Sequence, residues 1–151
     1  MNHAKILGKI ENDIARYGWH CLSVNACEGE EGAPFTYTIG LQATHHHPEI
    51  MIFGLSNQTA HGILTDCVEL IRNGQRFQPG LEYADVIGGG YKVIFREVRA
   101  EHLPEYFGAA CRYYKEAPFS ALILFWPNNQ HCFPWAGEGG SPQDEALDLI
   151  L

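Results

Sequence analysis

Residues 35–41 read FTYTIGL and residues 49–55 read EIMIFGL, and these two stretches decide the fold. In the first, large apolar residues alternate with small ones, which is the period of a strand with one buried face. In the second, the apolar residues follow one another almost without a break, which is typical of a strand buried on both faces. The two stretches therefore predict neighbouring strands of a sheet. Thr36 and Thr38 lie on the small, polar face of the first strand, which is either open to water or the wall of a cavity.

Helical periodicity surrounds this sheet. Apolar residues recur every three or four positions in three segments, which we interpret as helices over residues 6–17, 57–73 and 104–114. Gly18 follows the first helix, where a left-handed residue commonly ends a helix. Further strands are predicted around residues 19–26, 91–98 and 121–126. We expect a single α+β domain over residues 1–151, with a mainly antiparallel sheet of about five strands and three helices. The Gly-rich, acidic segment 136–151 is typical of a mobile tail.

Composition excludes several classes of protein. The 151 residues are 46% hydrophobic and carry ten Lys and Arg against eighteen Asp and Glu, a net charge of −8 without any basic run. We therefore expect no nucleic-acid binding, because phosphate contacts need clustered cations. No apolar run is long enough for a membrane span, and the N-terminus has no signal-peptide pattern. Five cysteines, an odd number without C-x-x-C spacing, favour reduced thiols and a cytoplasmic location.

The run His45-His46-His47-Pro48-Glu49 is the first candidate for chemistry. Neighbouring residues of an extended chain point to opposite sides, so only alternate members, such as His45 with His47 or His47 with Glu49, share a face. A further metal ligand would have to come from elsewhere, and His20 and His61 are the candidates. The alternative is a solvated polar turn before a buried strand. We favour this alternative and predict no metal site.

Bulky aromatic residues mark the end of the last predicted strand. Trp126 ends that strand, and Trp135 lies in the short segment after it. Indole rings at such positions either plug a core or form the wall of a pocket for a planar ligand. We predict a ligand pocket in which they meet residues 36–38, that is Thr36, Tyr37 and Thr38.

Several stretches of the chain resemble one known family. They are YGWH at 17–20, PFTYTIGL at 34–41, HPEIMIFGL at 47–55, NG at 73–74 with FQPG at 77–80, the tyrosines at 113–114, FWP at 125–127 and FPW at 133–135. Their order and spacing are similar to those of a bacterial domain of unknown function, family 4262. The resemblance implies a small cytosolic bacterial protein, and it brings no established reaction, cofactor or catalytic residue. It also emphasises His47 and Glu49, because the family pattern asks for only one imidazole in the histidine run.

Two functional hypotheses follow. In the first, the pocket binds a small molecule, His47 acts as acid and base, and Glu49 orients its ring. In the second, the chain is a non-enzymatic interaction protein, such as an immunity or adaptor protein, and its acidic loop with Glu28, Glu30 and Glu31 faces a basic partner. The sequence identifies neither a cofactor nor an oligomeric state.

Overall fold

A computed structural model describes residues 3–24, 34–115, 117–136 and 142–150. Its described residues form one six-stranded sheet and six α-helices. The strands are β1 (His20–Val24), β2 (Phe35–Ile39), β3 (Glu49–Phe53), β4 (Glu82–Tyr83), β5 (Val93–Glu97) and β6 (Ala121–Phe125). The helices are α1 (His3–Tyr17), α2 (Leu41–His45), α3 (Asn57–Arg72), α4 (Leu103–Tyr106), α5 (Gly108–Tyr114) and α6 (Asp144–Leu147).

The sheet is mixed, with the strand order β1-β2-β3-β6-β5-β4. Every neighbouring pair is antiparallel except β3 and β6, which run parallel with Met51 opposite Ile123. The prediction of an α+β fold is confirmed, whereas the predicted mainly antiparallel sheet of about five strands is imprecise. Parallel neighbours need a long crossover, and residues 54–120 provide it between β3 and β6.

Helices cover both faces of the sheet. Helices α1, α5 and α6 contribute to the apolar core on one face, and α3 packs against the other face. The central strands β3 and β6 are buried along their whole length, as their apolar sequences predict. Ser56 begins α3 by accepting a hydrogen bond from Thr59 N at 3.2 Å. The helix predicted over residues 57–73 is therefore confirmed.

Three helices were predicted, and the additional ones have local causes. The third predicted helix is divided into α4 and α5 because Phe107 leaves helical geometry and is fully buried, with its ring 4.6 Å from that of Tyr37. Helix α2 occupies what the sequence indicated as a connector. It begins after Gly40, whose φ of +113° is a left-handed conformation that favours glycine.

The C-terminal segment 142–150 packs onto the sheet. Ala146 and Leu149 are buried in the core that also holds α1. The Gln143 side chain bonds the backbone of Trp126 in both directions, at 3.0 and 2.7 Å. Residues 137–141 and 151 of the predicted mobile tail lie outside the described residues. In the part of the chain that is described, no helix is long and apolar enough to cross a membrane.

Candidate functional site

Glu49 is a fully buried carboxylate at the start of β3. Its two oxygens accept five hydrogen bonds, from Gly40 N (3.0 Å), Leu41 N (3.2 Å), Gln42 N (3.3 Å), the Thr38 hydroxyl (2.7 Å) and the Tyr114 hydroxyl. The first three donors are the free backbone N–H groups at the start of α2, which a helix cannot satisfy itself. Glu49 therefore fixes α2 against the sheet, and this contact between residues seven to nine positions apart explains why a five-residue helix forms there.

The electrostatics of Glu49 and Tyr114 follow from their burial. Desolvation raises the pKa of Glu49 above its usual range, although the Tyr114 and Thr38 hydroxyls act in the opposite direction. Burial also raises the pKa of Tyr114, and the neighbouring Glu49 carboxylate raises it further. Tyr114 consequently stays a hydroxyl donor to Glu49. The two groups form a buried hydrogen-bonded pair between α5 and β3.

His47 is 1% exposed and directs both ring nitrogens to the backbone. Nδ1 donates to Pro48 O at 2.8 Å, and Nε2 accepts from Phe77 N at 3.1 Å. This pairing requires the neutral ring with its proton on Nδ1. Burial lowers the pKa of His47, against a smaller opposite effect of the Pro48 carbonyl.

His47 and Glu49 therefore form their hydrogen bonds with other groups and not with each other. The hydrogen bonds of His47 tie the turn before β3 to the segment that holds Phe77, and those of Glu49 tie β3 to α2 and α5. In this arrangement both side chains carry structural hydrogen bonds. Their acid–base role stays a prediction.

The predicted pocket residues lie in several places. Thr38 contacts Glu49, and its hydroxyl also accepts from Ile50 N at 2.9 Å. Thr36 is buried and its hydroxyl is 3.1 Å from that of Ser23. Tyr37 is 1% exposed in the core, where burial raises its pKa to about 12.

The two indoles lie away from the Glu49 end of β3. Trp126 Nε1 donates to Phe53 O at 3.3 Å. Phe53 is the last residue of β3, so it lies about 13 Å along the strand from Glu49. Trp135 is 41% exposed; its ring stacks on Phe133 with a 5.0 Å centroid distance. The structure thus brings Thr38 and Glu49 together, and it joins neither indole to them.

The metal site and the acidic loop are the two remaining subjects of the sequence-based predictions. Within the described ranges, no three His, Cys, Asp or Glu side chains are close enough together to hold a metal ion. The acidic loop with Glu28, Glu30 and Glu31 lies outside those ranges, so the hypothesis of a basic protein partner stays a prediction.

A cleft of about 540 Å³ lies at the outer edge of the sheet, and we call it the edge-strand cleft. Strand β1 is the first strand in the sheet order, and its two faces are covered by α1 and α3. The cleft is bordered by both helices and by this strand. Its lining residues are Lys9, Asp13, Tyr17, Trp19, His20, Cys21, His61, Thr65 and Arg72.

An imidazole–carboxylate pair, His20 with Asp13, forms part of the cleft wall, and we call it the cleft pair. His20 Nδ1 lies 2.7 Å from Asp13 Oδ2. The hydrogen bond from His20 lowers the pKa of Asp13, burial partly offsets this, and the charge of Lys9 lowers it further. Asp13 is therefore an ionised acceptor, and Nδ1 carries the proton that it accepts. No hydrogen bond within the described part of the chain engages His20 Nε2.

Aromatic rings and cations complete the cleft. The rings of Trp19 and His61 are within 16° of parallel, with centroids 6.0 Å apart. Lys9 is 72% exposed and its ammonium lies 3.7 Å from Asp13. Arg72 bonds Glu69 and the Tyr17 carbonyl. Burial raises the pKa of Cys21 to about 11, so its thiol is not a ready nucleophile.

From the sequence, His20 and His61 are predicted only as supplementary metal ligands, and Asp13 is not predicted as a site residue. The available signal was the reversal of the chain at Gly18, whose φ is +89° and whose N–H bonds Ile14 O at 2.8 Å. A helix that stops there and returns as a strand places its last turns beside the first strand residues. Asp13 and His20 can meet for this reason, although seven positions separate them.

Comparisons with known proteins place the chain in a family. Neither the curated proteins nor the solved structures contain a match to it. A family model does match, over residues 13–138, and its description is a domain of unknown function, DUF4262. This range begins at the carboxylate of the cleft pair and covers the whole sheet. Because it spans most of the chain, the protein belongs to the DUF4262 family.

Proposed function

We propose that the protein binds a small molecule in the edge-strand cleft and that His20, oriented by Asp13, exchanges a proton with it. The observation that carries this proposal is the 2.7 Å hydrogen bond between His20 Nδ1 and Asp13 Oδ2 in the cleft wall. A carboxylate that accepts the proton of one ring nitrogen fixes the tautomer, so that the other nitrogen carries the free lone pair. The uncommitted Nε2 is then the atom that accepts a proton from a bound compound.

The surroundings of the pair support binding as well as proton transfer. Ligand sites commonly combine aromatic walls with a few directed polar groups in a concave surface. Here the aromatic wall is Trp19 with His61, and the polar groups are His20 and Lys9. The same arrangement suits general acid–base catalysis in an enzyme, or a protonation-dependent contact in a binding protein. Turnover of the bound compound distinguishes these two outcomes.

A ligand screen tests the proposal. We would present a panel of water-soluble metabolites to the full chain and detect binding by saturation-transfer NMR. The proposal expects at least one compound to bind the wild type and to be lost in His20→Gln, because the amide cannot accept a proton. His102→Gln, which changes a histidine outside the cleft, should retain binding. A panel without any binder, or equal binding by both variants, would contradict the proposal.

We also propose that the protein works in a reducing compartment, the bacterial cytoplasm. This location is supported by the odd number of cysteines in the sequence and by Cys67, which is completely buried. Burial raises the pKa of the Cys67 thiol to about 12, which keeps it protonated and unreactive. Fractionation of cells that express the tagged chain would test the location, and recovery outside the cytoplasm would contradict it.

A further inference from the structure

We infer that the ligand of the edge-strand cleft is an anion with a planar ring, of the class of aryl carboxylates and aryl phosphates. This inference rests on the proposed function, to which it adds the chemical class of the ligand. Three features of the cleft carry it: the cationic side chains in its lining, the exposure of Lys9 and the parallel aromatic rings.

The lining of the cleft is less acidic than the chain as a whole. The protein carries a net charge of −8, yet its cleft is lined by two cations, Lys9 and Arg72, and one carboxylate, Asp13. At physiological salt, charges beyond about 8 Å are largely screened, so the groups around the cleft matter more to a ligand than the net charge of the whole chain. Because Glu69 pairs with Arg72, the exposed Lys9 is the cation that can attract an anionic ligand in this otherwise acidic molecule.

The cation with the most freedom is Lys9. Its side chain is 72% exposed, and its 3.7 Å contact with Asp13 is long for an ion pair. Asp13 Oδ2 is engaged at the shorter distance of 2.7 Å by His20. Arg72 is partly satisfied, since it bonds the exposed Glu69 at 2.7 Å and the backbone of Tyr17. The ammonium of Lys9 is therefore the group best able to turn to an incoming anion.

The planar ring is inferred from the aromatic wall. Trp19 is half-buried, which holds its indole in place, and the exposed His61 ring lies nearly parallel to it. Offset stacking of a planar ligand on such rings is favourable, and it extends an arrangement that the protein already has. An anionic group on that ring can reach Lys9 at the cleft mouth. The planar ring and the anionic group of the ligand are thus recognised by different parts of the edge-strand cleft.

The test uses benzoate, benzamide and benzamidine, which share a planar shape and differ in charge. Binding is followed by titration in ¹H–¹⁵N spectra through the indole N–H signals of Trp19, Trp126 and Trp135, assigned with single Trp→Phe variants. Only Trp19 lines the cleft, so the other two signals are internal controls. We expect benzoate to shift the Trp19 signal with about fivefold higher affinity than benzamide. We expect benzamidine to bind least.

Variants then assign the preference to its source. Lys9→Gln should reduce the affinity for benzoate about threefold and leave that for benzamide unchanged. Lys92→Gln removes the same charge from an exposed position outside the cleft and should change neither affinity.

Each other outcome overturns the inference in a distinguishable way. Equal or weaker binding of benzoate would refute the anionic ligand and leave the proposed function intact, because a neutral or cationic ring would still occupy the cleft. Movement of the Trp135 signal instead of Trp19 would refute this location. If none of the three compounds moves the Trp19 signal while a panel metabolite is lost in His20→Gln, the ligand class alone is wrong. If the panel also yields no binder, the proposed function fails with it.

Discussion

The described part of the chain contains one imidazole–carboxylate neighbourhood in the core and another at the edge of the sheet, and the two use the same side-chain types differently. In the core, His47 and Glu49 form hydrogen bonds with backbone and hydroxyl groups of the fold. At the edge of the sheet, Asp13 holds one nitrogen of His20 and the other nitrogen remains uncommitted within the described residues. A candidate acid–base pair is therefore identified by a ring nitrogen that has no hydrogen-bond partner within the fold. Proximity of the two residues in the sequence does not identify it.

The largest expected effect tests the structural role of the core neighbourhood. Glu49→Ala leaves the three backbone donors of α2 and the hydroxyls of Thr38 and Tyr114 without their acceptor. We expect the free energy of unfolding to fall by about 3 kcal/mol or more. Urea unfolding followed by circular dichroism measures it. The exposed Glu101 provides the matched control, and Glu101→Ala should change stability by less than about 0.5 kcal/mol. Equal effects of the two variants would break the comparison.

Tyr114→Phe removes a single donor from the same carboxylate. A hydrogen bond to a charged group contributes about 1.5–3 kcal/mol, so we expect a loss in that range in the same unfolding experiment. Tyr113→Phe is the control, because it makes the same change at the adjacent position, whose hydroxyl is not among the hydrogen-bond donors of Glu49. A loss in Tyr113→Phe as large as in Tyr114→Phe would show that the effect does not come from the buried carboxylate.

The pH dependence of stability tests the neutral state of His47. Its pKa is lowered in the folded protein, so below about pH 6.5 the unfolded chain binds a proton that the folded chain does not. Stability should therefore fall as the pH decreases, by up to about 1.4 kcal/mol per pH unit from this group. His47→Gln, whose amide oxygen can accept from Phe77 N, should lose this contribution. If the free energy of unfolding changed with pH by the same amount in the wild type and in His47→Gln between pH 5 and 6.5, His47 would not be held neutral.

The smallest effect on stability is expected at the cleft pair. Asp13→Asn keeps an acceptor for His20 but removes the charge, and we expect a loss of about 1 kcal/mol. The pKa of Asp13 is lowered by folding, so this contribution should be present above about pH 4 and disappear as the pH falls further. Thermal unfolding at several pH values measures it. A loss comparable to that of Glu49→Ala would place the cleft pair among the structural groups of the core.

Much of the fold is predictable from local patterns. The alternation over residues 35–41, the apolar run at 50–53 and the stripe of α3 reflect burial, which periodicity records directly. The parallel pairing of β3 with β6 and the helix α2 are not encoded in this way. Both depend on contacts between residues far apart in sequence, such as the hydrogen bond from Tyr114 to Glu49.

The candidate site shows the same limit more sharply. From the sequence, His47 and Glu49 are predicted as site residues because an imidazole next to a carboxylate suggests acid–base chemistry. Sequence proximity does not show that Phe77 N occupies one ring nitrogen and the Pro48 carbonyl the other. The cleft pair was missed because Asp13 belongs to α1 and His20 to β1, and only the reversal at Gly18 brings them together.

The most direct test of the account compares ligand binding by His20→Gln and His47→Gln at neutral pH. Both variants keep a polar side chain at the altered position, and circular dichroism verifies that each is folded. The account predicts that a compound bound by the wild type is lost in His20→Gln and retained in His47→Gln. If His20→Gln still bound the compound and His47→Gln did not, the result would contradict this prediction and would place the binding site at His47 in the core.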